Sequence, residues 1–200
     1  MNWIELIWHV MSGACLALAG VHLLVWLRRR LALEHLSLAV AAFAVAALGM
    51  LEPLALQART VDEYVLLLRW YHVPAMVFFL AIVPFVRLRY GVGSVALGVA
   101  AIALRLVSLV ANFSTGVNAN FLQVDALAPT SWLGVAVVAP QGTPNPWMAF
   151  GTLSLLVLVL FLLHAVWEIW RRKPGPDRWQ ASATLLSAAA SILSAGVWVV

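Results

Sequence analysis

Apolar residues run along this chain for about twenty positions at a time, separated by short polar interruptions. Strands of a membrane barrel would instead alternate apolar and polar residues over about ten positions. Six stretches, near 3–27, 31–52, 64–86, 92–113, 147–170 and 180–200, reach the length needed to cross about 30 Å of hydrocarbon as helices. The pattern predicts an all-α fold: a polytopic membrane bundle of about six transmembrane helices forming a single domain. Helix punctuation supports the boundaries. Thr60 with Glu63 makes a capping box before the third span, and Asp177 with Gln180 a looser one before the sixth. Asn145-Pro146 supplies an N-cap and an N1 proline for the fifth, and Pro53 is expected to stop the second.

The longest connection, 114–146, has 33 residues. It contains Phe121, Leu122, Val124 and the apolar run from Trp132 to Val138, too apolar for a disordered linker, so it is expected to fold as a short hairpin over the bundle. Composition agrees with a lipid solvent: 64% of residues are hydrophobic and only 10% charged, with mean hydropathy +0.98. A soluble domain carries about a quarter charged residues. The net charge of +4 does not point to nucleic acid, because the basic residues sit in short clusters between apolar runs.

Those clusters predict orientation. Arg28, Arg29 and Arg30 follow the first span, Arg87 and Arg89 the third, and Arg171, Arg172, Lys173 and Arg178 the fifth; the opposite connections hold little beyond Arg59. The positive-inside rule then puts the N-terminus outside the cytoplasm. Trp3, Trp147 and Trp198 fall at outer ends and Trp26, Trp167, Trp170 and Trp179 at inner ones, as interfacial tryptophans should. No positive n-region precedes the first span, so it reads as a retained helix rather than a signal peptide. Cys15 is alone and can form no disulfide within one chain.

Ionisable residues inside a span cost about 2.5–3.5 kcal/mol each at mid-helix, so each calls for a reason. Toward the outer side lie Glu5 and His9, Arg69 and His72, and Arg105; each of the two pairs shares a helix face by its spacing. Arg105 needs an acid, a carbonyl or water, and Glu52 and Glu5 are the available acids. Together His9, Arg69, His72, Arg105, Glu5 and Glu52 form the candidate ligand site. Toward the inner side lie His22, Glu34, His35, His164 and Glu168; the glutamates are near enough to the headgroups to snorkel and read as structural. Pro74, two residues after His72, removes the hydrogen bond to the carbonyl of Trp70 and should kink the third span.

His9 with His72, and His22 with His164, are matched in depth and would suit two b-type haems held by paired histidines. Against this, His9 and His22 are thirteen positions apart, which turns them about 140° away from one another on a straight helix. A quinone in the outer polar layer has similar ingredients, so a haem- or quinone-binding subunit of a redox complex is an alternative. A small transporter is another, although the two three-helix halves show no internal repeat. The chain has no Cys-x-x-Cys, Gly-rich phosphate loop, His-Glu-x-x-His or serine elbow, so no catalytic residue and no resident metal are expected.

Several segments resemble the N-terminal multi-spanning, seven-transmembrane-type membrane region found ahead of PAS and histidine-kinase modules in bacterial signalling proteins. They are Leu68-Arg69-Trp70-Tyr71-His72-Val73-Pro74, Leu104-Arg105-Leu106 through Leu109 to Asn112-Phe113, and Gly142 through Met148, with Gly20 through Leu27 similar too. The resemblance implies a sensory input domain in the bacterial inner membrane, without enzymatic activity of its own. It also implies an unknown small-molecule or membrane ligand, and homodimerisation through cytoplasmic domains beyond this chain. Such regions have seven or more spans; this chain has six and ends at Val200 inside an apolar run, as a fragment of a longer protein would.

Overall fold

The computed structural model describes residues 2–132, 134–172 and 177–197, with side chains to 193. Lys173, Trp198 and Val200, which entered the expectations above, lie outside the described residues. Six helices and one hairpin follow in order: α1 (Trp3–Arg28), α2 (Leu33–Leu56), α3 (Val61–Tyr90), α4 (Val95–Ser114), β1 (Phe121–Trp132), β2 (Val135–Pro144), α5 (Met148–Arg172) and α6 (Asp177–Val197). Helices α1 to α5 are long and apolar enough to cross a membrane; among the described residues α6 does not join them. The molecule is therefore mostly helical with six helices; the hairpin corrects the expected all-α fold, and among the described residues five of the six expected spans are met.

Local chemistry sets the helix ends. Asn2 caps α1 reciprocally with Glu5: Asn2 Oδ1 accepts from the Glu5 N–H at 2.9 Å, and its amide donates to Glu5 Oε1 at 2.9 Å. The capping box before α3 is present, with Thr60 Oγ1 accepting from Glu63 N–H at 3.2 Å and Glu63 Oε2 from Arg59 N–H at 2.8 Å. Gly91, at φ 68°, ends α3 in the left-handed conformation. The box expected at Asp177 is absent, because α6 starts at Asp177 itself and takes the residue into its first turn.

Pro53 does not stop α2, which runs on to Leu56 with the proline inside it and buried. A proline removes one backbone bond and crowds one carbonyl, and packing against neighbouring helices can hold a helix together across that gap. Likewise α3 continues through Pro74 and Pro84 to Tyr90.

Consecutive helices pack antiparallel, as three contacts show: His22 meets His35, Asn112 meets Arg69 and Trp170 meets Trp179. The arginine clusters therefore gather at one end of the bundle and the hairpin at the other. The main core joins α3, α5 and α6 through Phe79, Val86, Leu158, Phe161, Leu162 and Leu185. Lipid gives apolar side chains no reason to prefer one another, so helices associate where small residues let backbones approach. Ala39, Ala42 and Ala46 supply that on α2, and Gly98 on α4, where an added Cβ would stand 2.7 Å from Val83 Cγ1. Large side chains such as Leu24, Phe43, Leu66, Leu80 and Leu160 point outward, where lipid would cover them.

The segment expected to fold over the bundle does so. β1 pairs antiparallel with β2 from Phe121↔Pro144 to Trp132↔Val135, and Gly134, at φ 81°, takes part in the turn. The pairing is irregular between Phe121 and Gln123 and again between Val124 and Ala126. Strand β1 rests on α3 and β2 on α2, burying Val124 and Val137.

Candidate functional site

Beneath the hairpin, polar side chains from three helices converge. Helix α4 turns Arg105, Ser108 and Asn112 inward on one stripe, and α3 presents Arg69, Tyr71 and His72. Arg105 and His72 are each only 6% exposed. Tyr71 on α3 faces the Glu52 carboxyl at the end of α2 and lies within electrostatic reach of Arg105, so it stands between the acid and the buried cation. His72 shares the reach of Arg105, whose guanidinium carbon is 5.6 Å from the Phe79 ring centroid. Glu52, His72 and Arg105 thus lie within reach of Tyr71 or of one another, and Arg69, one turn before His72 on α3, is joined to α4 through Asn112.

Glu5 and His9 do not join it. Glu5 serves the cap of α1, and the exposed His9 donates from Nδ1 to the Glu5 carbonyl at 2.6 Å, one turn back on its own helix. Neither depth-matched histidine pair is formed. His22 Nδ1 lies 2.7 Å from His35 Nδ1 with the rings stacked, and His164 lies 3.9 Å from Glu168 on its own helix. His72 holds Asn120. Among the described residues no three His, Cys, Asp or Glu side chains are placed to hold a metal ion.

The residues that sequence reasoning passed over are asparagines. Asn112 donates to the Arg69 carbonyl at 2.8 Å and accepts from Ala119 N–H at 3.0 Å. Asn118 Oδ1 accepts from the N–H groups of Asn120 and Phe121, both at 2.9 Å. Asn145 donates to the Asn118 carbonyl at 2.8 Å and to Thr115 Oγ1 at 3.1 Å, and its own oxygen takes Trp147 N–H at the start of α5, the expected cap. Two α3 side chains complete the knot: Arg69 Nε donates to the Val117 carbonyl at 2.9 Å, and His72 Nε2 meets Asn120 Oδ1 at 2.9 Å. Since Oδ1 can only accept, Nε2 carries the proton in this contact. The hairpin is thus tied at its base to α3, α4 and α5 by buried hydrogen bonds, and Arg69 and His72 belong both to that knot and to the polar centre.

A second polar cluster lies at the arginine-rich end. Glu168, read from sequence as a snorkelling residue, is 9% exposed and grips the α3–α4 turn: its Oε2 accepts from Gly93 N–H at 2.6 Å, and its Oε1 pairs with Arg172 at 2.7 Å. Arg87 donates to the Gly93 carbonyl from the other side. Gly93 sits at φ 95°, and a Cβ there would stand 2.7 and 2.9 Å from ring carbons of the buried Phe161. Gly93→Ala should cost about 2–4 kcal/mol from backbone strain and overpacking together. A denaturant-unfolding midpoint of the purified protein in detergent would show this; an unchanged midpoint would mean that the turn can move freely. Around this end Arg30 covers Trp26 at 4.4 Å, Arg171 covers Trp167 at 4.6 Å and Arg178 covers Trp170 at 4.5 Å. Such pairs suit the headgroup level, where a ring and a cation both have a favourable place.

A scan against protein-family models, a search of curated proteins and a search of solved structures each return no match to this chain.

Proposed function

We propose that this chain is the membrane-embedded sensory input region of a bacterial signal-transduction protein of the two-component type. In this reading it lies in the cytoplasmic membrane with its N-terminus and hairpin outside and its arginine-rich end in the cytoplasm. The observation that carries the reading is the double duty of Arg69 and His72. They hold the base of the external hairpin while lying in the buried polar centre on α3. A ligand that touches either the hairpin or the centre therefore acts on the same helix. At the other end of that helix, Gly93 of the α3–α4 turn is held by Arg87 of α3 on one side and by Glu168 of α5 on the other. A ligand that favours one packing of α3 against α5 over another shifts the population passed to a cytoplasmic output. The resemblance of the Arg69–Pro74 and Arg105–Phe113 segments to input regions of histidine kinases points the same way.

The test uses the native gene product in its own membranes. Its intact mass should lie well above 21.7 kDa, with a soluble output module following the helices. Arg105→Gln and His72→Ala should each change the stimulated-to-basal ratio of output phosphorylation by about tenfold, within the usual range of coupling energies, with protein abundance held constant. A native product that carries no output module, or an unaltered ratio in both variants, would remove the sensory reading.

A further inference from the structure

The polar centre also specifies what it binds, and this deepens the sensory reading by naming the ligand class of the same site. Where α4 meets α5, Arg105 and Ser108 flank Gly151: a Cβ placed on Gly151 would stand 3.2 Å from Ser108 Oγ and 3.6 Å from Arg105 Nη1. Arg105 Nε and Ser108 Oγ have no protein hydrogen-bond partner, although Arg105 is 6% exposed and Ser108 0%. Phe79 closes one side of the guanidinium at 5.6 Å. The centre thus holds unused donors beside an aromatic face, and Gly151, with no side chain, lets α5 approach them closely.

Charge balance narrows the class. Among the described residues no carboxylate forms an ion pair with Arg105. Glu52 is turned to Tyr71, and the second nearby cation, Arg69, gives its Nε to a backbone carbonyl. A guanidinium buried without an acid carries a large desolvation cost, and one negative charge with two acceptor oxygens offsets it best. The planar donor fork of arginine fits a carboxylate through two parallel hydrogen bonds. His72 Nδ1 also lacks a partner, but with the proton on Nε2 it is an acceptor and gives an anion no donor. We propose that Arg105 and Ser108 bind a carboxylate-bearing ligand. The carboxylate lies on the guanidinium and the Ser108 hydroxyl, and the carbon body lies against Phe79.

A carboxylate can arrive from water as a small organic acid or from the bilayer as a fatty acid, and the experiment separates the two. The full-length protein in nanodiscs is titrated with benzoate, with uncharged methyl benzoate of nearly the same shape, and with oleate incorporated in the lipid, while its thermal unfolding is followed. One of the two acids should raise the unfolding temperature saturably, as a ligand selective for the folded state must, and the ester should not. Benzoate alone would assign a water-borne ligand and oleate alone a lipid-borne one. Arg105→Gln should abolish the shift. Ser108→Ala should weaken binding about tenfold, equivalent to about 1.4 kcal/mol. No saturable response to either acid, equal response to the ester, or wild-type binding by the Arg105 and Ser108 variants would overturn the proposal. Carboxylate binding beside an unresponsive output would leave the site standing and remove only the sensory reading.

Discussion

Gly142→Ala should open the base of the hairpin while leaving the helices folded. Gly142 pairs with Val124 at the irregular part of the ladder, and a Cβ there would collide with the Gln123 carbonyl oxygen and lie 2.8 Å from Val124 Cα. Both obstacles are backbone atoms, so no side chain can rotate away. The chain must shift the ladder or part it. A slip of one residue would turn Val124 and Val137, now buried, to the opposite face. The expected loss is about 2–3 kcal/mol, the upper part of the range for forced overpacking. It should appear as new protease cleavage within 117–145 of the membrane-inserted protein, with far-ultraviolet circular dichroism in the helical bands unchanged. Retained protection would show that the ladder drawn at Gly142 is wrong.

The second large effect is expected at Asn112. Its side chain is fully buried and holds two partners from different segments, the Arg69 carbonyl on α3 and the Ala119 N–H below the hairpin. Asn112→Ala would leave the Ala119 N–H buried with no acceptor and would remove a tie between α3 and α4. An orphaned buried group costs about 1–3 kcal/mol and a lost hydrogen bond about 1 kcal/mol, so about 2–4 kcal/mol in all is expected. Ser114→Ala is the matched control, since Ser114 bonds only to the Val110 carbonyl of its own helix, and it should fall within about 0.5 kcal/mol of wild type. Unfolding midpoints of the two variants in the same detergent would decide. Equal midpoints would show that the asparagine knot adds little to stability.

The sequence made some of this legible. Arg69, His72 and Arg105 stand out because a charge in an apolar run is costly and must have a use; in the structure His72 lies within reach of Arg105, and Arg69 is tied to α4 through Asn112. The Thr60–Glu63 box is equally visible, because its two hydrogen bonds are local. The asparagines give no such signal. A neutral amide at a loop position is ordinary, and Asn118 and Asn120 acquire their roles only from partners that the fold delivers; Asn145 shows itself in the sequence as a cap, but not its bonds to Asn118 and Thr115. Glu168 illustrates the same limit: its depth near the end of α5 fits snorkelling, while its actual partner, Gly93, is 75 residues away. The helical course through Pro53 was hidden for a related reason, because local propensity predicts a break where tertiary packing sustains the helix. His22 and His35 show how depth alone misleads, since it cannot say which of several histidines at one level will face each other.

The two ties that α5 makes have a bearing on how the protein is built in time. At one end of the α3–α4 pair the knot is completed by Asn145, at the threshold of α5; at the other the turn is held by Glu168, near the end of α5. A chain emerging from the ribosome has α3 and α4 in the membrane well before either residue exists. That pair already shares the tie from Asn112 to Arg69, but the Asn118 carbonyl and the Gly93 N–H stay unclaimed until the chain that carries Asn145 and Glu168 has been made. The hairpin base and the α3–α4 turn therefore gain their last ties from α5 and the residues that lead into it.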